Sequence, residues 1–440
     1  MNIAAQEKTQ SWLGTLPNGW ATKRLKYIST INDETLPETT DPDYEMLYVD
    51  IGSVDETEGI QKKEPMIFET APSRARRVVK DGDTIVSTVR TYLRAVAPIR
   101  NPEQNLIVST GFAVIRPKGI DPHYLAYSLR SSYFIETVVS RSVGVSYPAT
   151  NPTDVSCIEL PLPPVDEQQT IARFLDAKTA QIDALVTQKR QLIAKLKEKR
   201  QALIARTVTR GLPPEAAKAA GLEPNPEVKD SGVDWLGAVP ARWKIKAIKW
   251  ATPVQRGASP RPIDDPSYFD DDGEYAWVRI SDVTAAGMYL DATEQRLSDL
   301  GSSLSVKMQP GSLFLSIAGT VGKPCIANIK CCIHDGFVYF PRWKGESRFL
   351  FYVFASGEPY KGLGKMGTQL NLNTDTVGSI VIGIPDAKEQ KLIADYLDKT
   401  TAELDSMTTA VEAAIDRLVE YRQAVITSAV TGKIDVRELA

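Results

Sequence analysis

Four short stretches carry residue types that could do chemistry. Cys332-Ile333-His334 sets a thiol and an imidazole two residues apart, as a metal site would. Gly362-Leu363-Gly364-Lys365-Met366-Gly367 has the letters of a dinucleotide loop, and Gly319-Thr320-Val321-Gly322-Lys323-Pro324 approaches a phosphate loop. Asp265-Pro266-Ser267-Tyr268 approximates the Asp-Pro-Pro-Tyr element that grips an adenine flipped out of a duplex. None of the four holds. Cys157, Cys325, Cys331 and Cys332 lack zinc-ligand spacing and are better read as buried strand residues. The glycine run follows a helix-like stretch and opens no helix, while Pro324 stands where a serine or threonine must bind magnesium. The Asp265 turn lacks the second proline, and no glycine-rich strand-loop precedes it. His123 and His334, the only two histidines, build no Ser/His or Cys/His nucleophile. The expectation is a chain with no catalytic residues, no cofactor and no metal.

What remains is charge. The formal net charge of −3 is wrong for a nucleic-acid binder only until it is resolved along the chain. Residues 30–71 hold 12 acidic and 2 basic groups, and residues 72–141 hold 11 basic and 5 acidic. The polarity returns in the second half, with 10 acidic and 2 basic in 264–299, then 8 basic and 3 acidic in 303–372. Two basic surfaces are therefore expected. Their candidate contacts sit on loops flanked by glycine or proline: Arg74, Arg76, Arg77, Arg90, Tyr92, Arg94, Ser146 and Tyr147 in the first half, and Arg256, Ser259, Arg261, Lys323, Lys365, Thr368, Gln369 and Asn371 in the second. Arginine and glutamine suit bidentate reading of base edges, and lysine suits phosphate.

The elements that would position these groups are duplicated. Residues 166–209 recur at 388–431, with Glu167, Gln168, Ile171, Ala172, Leu175, Asp176 and Asp183 returning 222 positions later as Glu389, Gln390, Ile393, Ala394, Leu397, Asp398 and Asp405. Glu198, Arg200, Gln201, Ala202 and Ile204 return in the same way as Glu420, Arg422, Gln423, Ala424 and Ile426. No glycine or proline interrupts either copy, so each predicts one helix, a rod of about 65 Å at roughly 1.5 Å per residue. Heptads framed on Ile171 as a and Leu175 as d predict a seam of Ile171, Leu175, Ile182, Leu185, Leu192, Leu196 and Leu203. The second seam is Ile393, Leu397, Leu404, Met407, Val411, Leu418 and Val425, and the two rods are expected to pack as an antiparallel coiled coil.

The opening segment is repeated as well. Ser11-Trp12-Leu13-Gly14, Pro17, Trp20, Lys23 and Lys26 return as Asp234-Trp235-Leu236-Gly237, Pro240, Trp243, Lys246 and Lys249, where matched tryptophans serve as packing anchors. Between opening and rod, strand-like runs at 46–51, 84–89, 111–115 and 158–160 with a helix at 124–129 have counterparts at 277–280, 313–317, 336–340 and 380–384 with a helix at 348–354. Asp81-Gly82-Asp83 matches Pro310-Gly311-Ser312, and Thr110-Gly111-Phe112 matches Asp335-Gly336-Phe337. The fold class is α+β, a tandem duplication of a domain followed by a long helix. The expected boundaries are a first domain at 1–162, a helix at 163–210, a linker at 211–233, a second domain at 234–384, a second helix at 385–432 and a tail at 433–440. No run of eighteen apolar residues and no apolar N-terminal segment is present, which predicts a cytoplasmic protein without a membrane partner.

The duplicated Trp-Leu-Gly…Pro…Trp opening, the Glu-Gln…Ile-Ala…Leu-Asp helix start and the Gln-Ala…Thr helix end closely resemble the specificity subunit of type I restriction-modification systems, over nearly the whole chain. The resemblance implies two target-recognition domains, each reading half of a bipartite double-stranded DNA site. It implies helices that separate them and dock two modification subunits, and restriction subunits as further partners. S-adenosylmethionine, ATP and magnesium would then belong to those partners. One departure is Gly432-Lys433 after the second helix against Arg210-Gly211 after the first. The alternative expectation is a coiled-coil scaffold for two protein partners that reads no DNA.

Overall fold

The computed structural model describes residues 13–361, 363 and 372–437. The chain divides into two compact units, one of residues 1–190 with 411–440 and one of residues 191–410. Both divisions fall inside the long helices. Each unit therefore holds one domain, the start of one long helix and the end of the other.

In the first unit the strands are β1 (Ala21–Arg24), β2 (Ser29–Ile31), β3 (Glu45–Val49), β4 (Val54–Asp55), β5 (Gly59–Ile60), β6 (Glu64–Ile67), β7 (Ala75–Val78), β8 (Thr84–Ser87), β9 (Val96–Pro98), β10 (Leu106–Ser109) and β11 (Phe112–Pro117). Helices α1 (Pro122–Leu129), α2 (Ser132–Ser140) and α3 (Pro152–Ser156) follow, then β12 (Glu159–Leu162) and the long helix α4 (Val165–Arg210). Two four-stranded sheets form, ordered β6-β3-β10-β7 and β2-β11-β8-β9, and β1 pairs antiparallel with β12 to bring the ends of the domain together. The runs Thr-Ile-Val-Ser of β8 and Leu-Ile-Val-Ser of β10 are buried throughout, their small polar ends included, as strands covered on both faces are. Asp121 accepts hydrogen bonds from the first amides of α1, and Pro122 opens that helix.

The second unit repeats the plan. After α5 (Pro214–Ala219) come β13 (Val228–Asp230), β14 (Ala238–Pro240), β15 (Lys244–Ala247), α6 (Ile248–Ala251), β16 (Gln255–Arg256), β17 (Tyr275–Val278), α7 (Ile280–Ala285), β18 (Tyr289–Leu290), β19 (Gln295–Leu297), α8 (Asp299–Ser303) and β20 (Val306–Met308). Strands β21 (Leu313–Ser316), β22 (Pro324–Ala327), β23 (Cys331–Ile333) and β24 (Phe337–Tyr339) precede α9 (Ser347–Ala355), α10 (Thr374–Ser379), β25 (Val381–Ile384) and the long helix α11 (Ala387–Val430). The parallel pair β3–β10 has its counterpart in β17–β23, the antiparallel pair β8–β11 in β21–β24, and β1–β12 in β15–β25. Residues 211–233 are more than a linker: α5 buries Ala217 in the core, and β13 pairs with β14.

Residues that repeat in sequence fasten helix to domain. Tyr127 on α1 donates its hydroxyl to Asp176 at 2.8 Å and lies 3.2 Å from Thr179, while Tyr352 on α9 donates to Asp398 at 2.7 Å and lies 3.3 Å from Thr401. Gln168 donates to the Pro163 carbonyl and accepts from the Asp121 amide, as Gln390 donates to the Pro385 carbonyl and accepts from the Glu346 amide. The helix ends grip too. Gln423 donates to the Arg130 carbonyl in the first unit, and Gln201 to the Ala355 carbonyl in the second. Both helices close against the opening segment, Gly432 beside Pro17 and Trp20, Gly211 beside Pro240 and Trp243, each glycine at positive φ as a helix terminator requires. The sequence departure after the helices is thus a shift of one residue in where the same stop is placed. Of the opening motif, Ser11 and Trp12 lie outside the described residues.

Within each unit the helices run antiparallel: Arg422 pairs with Asp183 at 2.9 Å in the first unit, and Arg200 with Asp405 at 2.9 Å in the second. The predicted seam needs a correction. Leu175, Ile182, Leu397, Leu404 and Val425 are buried, and Leu196, Leu203, Val411 and Leu418 are half-buried. Leu185 is 40% exposed, Leu192 44% and Met407 54%. The second row of the seam lies one residue further on, at Thr179, Val186, Ile193, Arg200 and Thr207 of α4 and at Thr401, Thr408, Ile415, Arg422 and Ala429 of α11. Ile171 and Ile393 are buried because they lie in the domain cores. They set a frame that the rest of the rod does not keep.

Leu397→Ala should therefore destabilise the protein by about 3 kcal/mol in urea unfolding, the cost of a cavity at a fully buried leucine. Met407→Ala should cost less than about 0.5 kcal/mol. Equal losses at the two sites would restore the original frame.

Candidate nucleic-acid interface

In the first domain the chain leaves β8 and turns at residues 88–95. Arg90 and Arg94 both take the left-handed backbone conformation, with φ of 54° and 51°, on either side of a single 3-10 turn. Such a conformation costs a non-glycine residue about 1–2 kcal/mol, so the surroundings must enforce it. They do so from residues 142–150: the Thr91 amide donates to the Pro148 carbonyl, the Thr91 hydroxyl donates to Ser142 at 2.8 Å, and the Thr150 amide donates to the Thr88 carbonyl. Thr88 in turn donates to the Gly111 carbonyl, which ties the loop to the turn between β10 and β11.

One surface results. Tyr92, Ser146 and Tyr147 are exposed on it, the Arg90 guanidinium lies 5.2 Å from the Tyr147 ring centroid, and Arg94 pairs with Glu136 at 2.5 Å. Arg74 adjoins the same turn, because its carbonyl accepts from the Thr110 amide; its guanidinium meets Tyr48 and Asp50, each at 3.2 Å. Arg76 stacks on Phe68 at 4.3 Å. Arg77 does not join them. It points to the other face of β7, donates to Thr35 at 3.1 Å, and burial lowers its pKa. Sequence reading also missed Leu93, Val143 and Val145, which are exposed among these polar groups. Their signal in the sequence is the Val143-Gly144-Val145 run in a polar loop.

In the second domain three candidates converge on one residue, Asp335. Ser259 donates to Asp335 at 3.0 Å, Arg261 pairs with it at 3.0 Å, and Arg256 donates to its backbone carbonyl. Burial pushes the Asp335 carboxyl up, but the Ser259 hydroxyl and the charges of Arg261 and Arg256 bring it below its ordinary value. Asp335 was visible in sequence only as the partner of Thr110 in a repeated turn. A Cβ on Gly257 would lie 2.2 Å from the His334 carbonyl oxygen, so this corner closes only around glycine. Lys323 is turned inward, donating to the carbonyls of Thr284 and Ala286 at 2.8 Å each, and burial lowers its pKa. In the loop that resembled a phosphate cradle, Gly322 packs on the Tyr360 ring and its carbonyl accepts the Tyr360 hydroxyl at 3.0 Å. Lys365, Thr368, Gln369 and Asn371 lie outside the described residues.

The thiols of the supposed metal motif are strand residues, and its imidazole stands on the turn that follows the strand. Cys331 and Cys332 are buried on β23, with burial pushing their thiols up to about 12 and about 11, and His334 Nδ1 accepts the Gly336 amide at 2.8 Å. The charge segregation of the sequence is largely folded away. Arg116, from the basic stretch, pairs with Asp83 and with Glu34 of the acidic one at 2.9 Å each, Lys80 also pairs with Glu34, and Lys63 pairs with Glu103 at 2.7 Å. Among the described residues no helix is long and apolar enough to cross a membrane.

A profile of the family described as "Type I restriction modification DNA specificity domain" matches residues 17–195 and 253–417. The HindI specificity subunit of Haemophilus influenzae is 26% identical over 425 residues, covering 82% of this chain and 89% of its own. The MjaVIII specificity subunit of Methanocaldococcus jannaschii is 23% identical and covers 73% and 72%. Among solved structures, the HsdS subunit of Thermoanaerobacter tengcongensis superposes with a TM-score of 0.55 at 26% identity, over 96% of this chain and 99% of that one. A chain from a structure of a type I R-M system shares the fold at a TM-score of 0.75 and 24% identity, over 96% and 100%.

Burial lowers the pKa of His334, so the fold disfavours the imidazolium relative to the unfolded chain, where the ring takes up a proton below about pH 6.5. The stability this confers is present above that pH and is lost as pH falls toward the depressed folded value. Between pH 7 and 5 the urea midpoint of the native protein should therefore fall further than that of His334→Asn. Parallel falls would remove His334 from the balance.

Proposed function

We propose, because this chain belongs to the family of type I restriction-modification DNA specificity domains, that each of its two α+β domains reads one half of a bipartite duplex site. The chain itself does no chemistry. The antiparallel helices set the distance between the half-sites and dock two modification subunits, and methyl transfer and ATP-driven cleavage are carried by partner subunits with their own S-adenosylmethionine, ATP and magnesium.

One observation carries this reading: the two domains are alike where they are held and unlike where they face outward. Tyr127 with Asp176 and Tyr352 with Asp398 make the same grip. The loop after β8 presents two left-handed arginines and an exposed tyrosine, whereas the loop after β21 is packed down through Gly319 and Gly322. That is the pattern expected when two readers of different sequences sit on one frame. Arg90, Arg94, Tyr92 and Tyr147 are the contacts favoured in the first domain, with Arg256, Ser259 and Arg261 in the second. Docking is supported by exposed apolar residues left outside the seam, Leu185 and Leu192 on one helix and Met407 and Tyr421 on the other, of which Leu185 and Met407 match across the repeat.

Replacing residues 30–160 by the matching segment of a relative should change one half-site in a methylome map and leave the other untouched. A change in both would refute independent reading. The ruler has its own test. Because each unit takes the start of one helix and the end of the other, an insertion must be made in both, after Arg190 and after Ala410. Four residues in each add about 6 Å of helix at little more than one turn, and the spacer should lengthen by about one or two base pairs. Methylation at the original spacing would sink the ruler.

A further inference from the structure

Both domains begin with the same cationic surface. In the first, Lys23 ends its side chain in solvent from β1, and Lys26 and Tyr27 are exposed on the single turn that follows, with Leu25 buried between them. In the second, Lys246 is exposed on β15, and Lys249 and Trp250 are exposed on α6, with Ile248 buried in the place of Leu25. Tyr27 is 66% exposed and Trp250 74%. In each case the lysine lies beside its aromatic neighbour, Lys26 at 5.1 Å from the Tyr27 centroid and Lys249 at 5.8 Å from that of Trp250. A single exposed aromatic is ordinary on a protein surface, but here one stands beside a lysine at matched positions in both units.

The charges matter more. Arg74, Arg94 and Arg261, candidates for base reading, are each engaged by a carboxylate of their own domain. Lys23, Lys26, Lys246 and Lys249 form no ion pair with any described residue. A lysine is a flexible point charge that suits a phosphate oxygen and carries little information about base identity, and unpaired lysines are disfavoured in the middle of a protein–protein contact. Two half-sites of different sequence share one thing on their surface, the phosphodiester backbone.

We propose that Lys23, Lys26 and Tyr27 in one unit, and Lys246, Lys249 and Trp250 in the other, are equivalent contacts to the DNA backbone that supply affinity without sequence preference. This rests on the half-site reading proposed above. The lysines neutralise phosphates, and each aromatic packs on the neighbouring sugar edge while holding its lysine forward. In the first unit the Lys26 turn packs on α3, which is reached directly from residues 143–150 of the candidate reading surface. In the second unit α10 packs on α6, where a Cβ at Gly378 would stand 3.4 Å from Lys249 Cβ.

The test uses the full chain in complex with its modification subunits. Binding to a duplex carrying the methylated site and to one with both half-sites scrambled is measured by fluorescence anisotropy at several salt concentrations. The variant Lys23→Gln/Lys26→Gln/Lys246→Gln/Lys249→Gln changes only exposed side chains, and its urea midpoint should match that of the native protein. The slope of log affinity against log salt should shrink by about 3 to 4, since each phosphate contact contributes about 0.9. Affinity should fall at least tenfold for both duplexes, so the ratio between them should not change. An unchanged slope overturns the proposal. So does a variant that fails to co-purify with the modification subunits while its bound fraction keeps the native slope, a result that assigns the surface to protein docking instead. If the native complex does not distinguish the two duplexes, the half-site reading fails independently.

Discussion

A carboxylate three turns into each long helix decides where a whole domain sits. Asp176 takes the hydroxyl of Tyr127 and the guanidinium of Arg100, and Asp398 takes Tyr352 and Arg348. Burial would push Asp176 up, but Tyr127 and Arg100 hold it below its ordinary pKa, so the charged form is the one the fold keeps. Contacts of this kind add modestly to stability when made. They cost far more when a domain slides and leaves them unmade, and so they fix position better than apolar packing does. The glutamine grips at the other helix end act in the same sense, and together they make each domain rigid with respect to both helix segments in its unit.

Charge in the domains follows a similar economy. A chain of net charge −3 presents cations selectively because most of its arginines already have a carboxylate partner. Arg116 is enclosed by Asp83 and Glu34, and Arg348 by Glu346, Asp395 and Asp398. Such arginines are structural. Those at exposed corners, such as Arg94 between Glu136 and Glu56, are held in place by acids that a polyanion would have to displace, which opposes indiscriminate binding.

Much of this was legible in the sequence because duplication writes structural residues twice. Gln168, Asp176, Arg200 and Gln201 stood out by recurring, and each turns out to make the same contact in both copies. Four strands in each domain and the helices at 124–129 and 348–354 were legible from apolar runs bounded by glycine and proline, whereas the shorter strands and the helix Ser132–Ser140 were not. What was not legible was direction. Arg77 and Lys323 have the residue types of a contact and point inward, since a strand alternates its faces and a lysine on a loop can reach the free carbonyls at the end of a helix distant in sequence. The heptad frame slipped because Ile171 and Ile393 are buried by their domains, and because the true second row contains Thr179, Arg200, Thr408 and Arg422, whose polarity hides a seam position. Asp335 gave no sign of gathering Ser259 and Arg261, which lie over seventy residues away in sequence.

No domain here is served by its own repeat alone. The first is gripped by the start of α4 and the end of α11, the second by the start of α11 and the end of α4. A gene for a single repeat would therefore encode a protein with one grip offered and one left empty, and two copies of it side by side would satisfy each other completely. Fusing the two copies leaves each of these contacts in place, but it frees each half to mutate separately, so that the grips stay alike while the outward faces diverge.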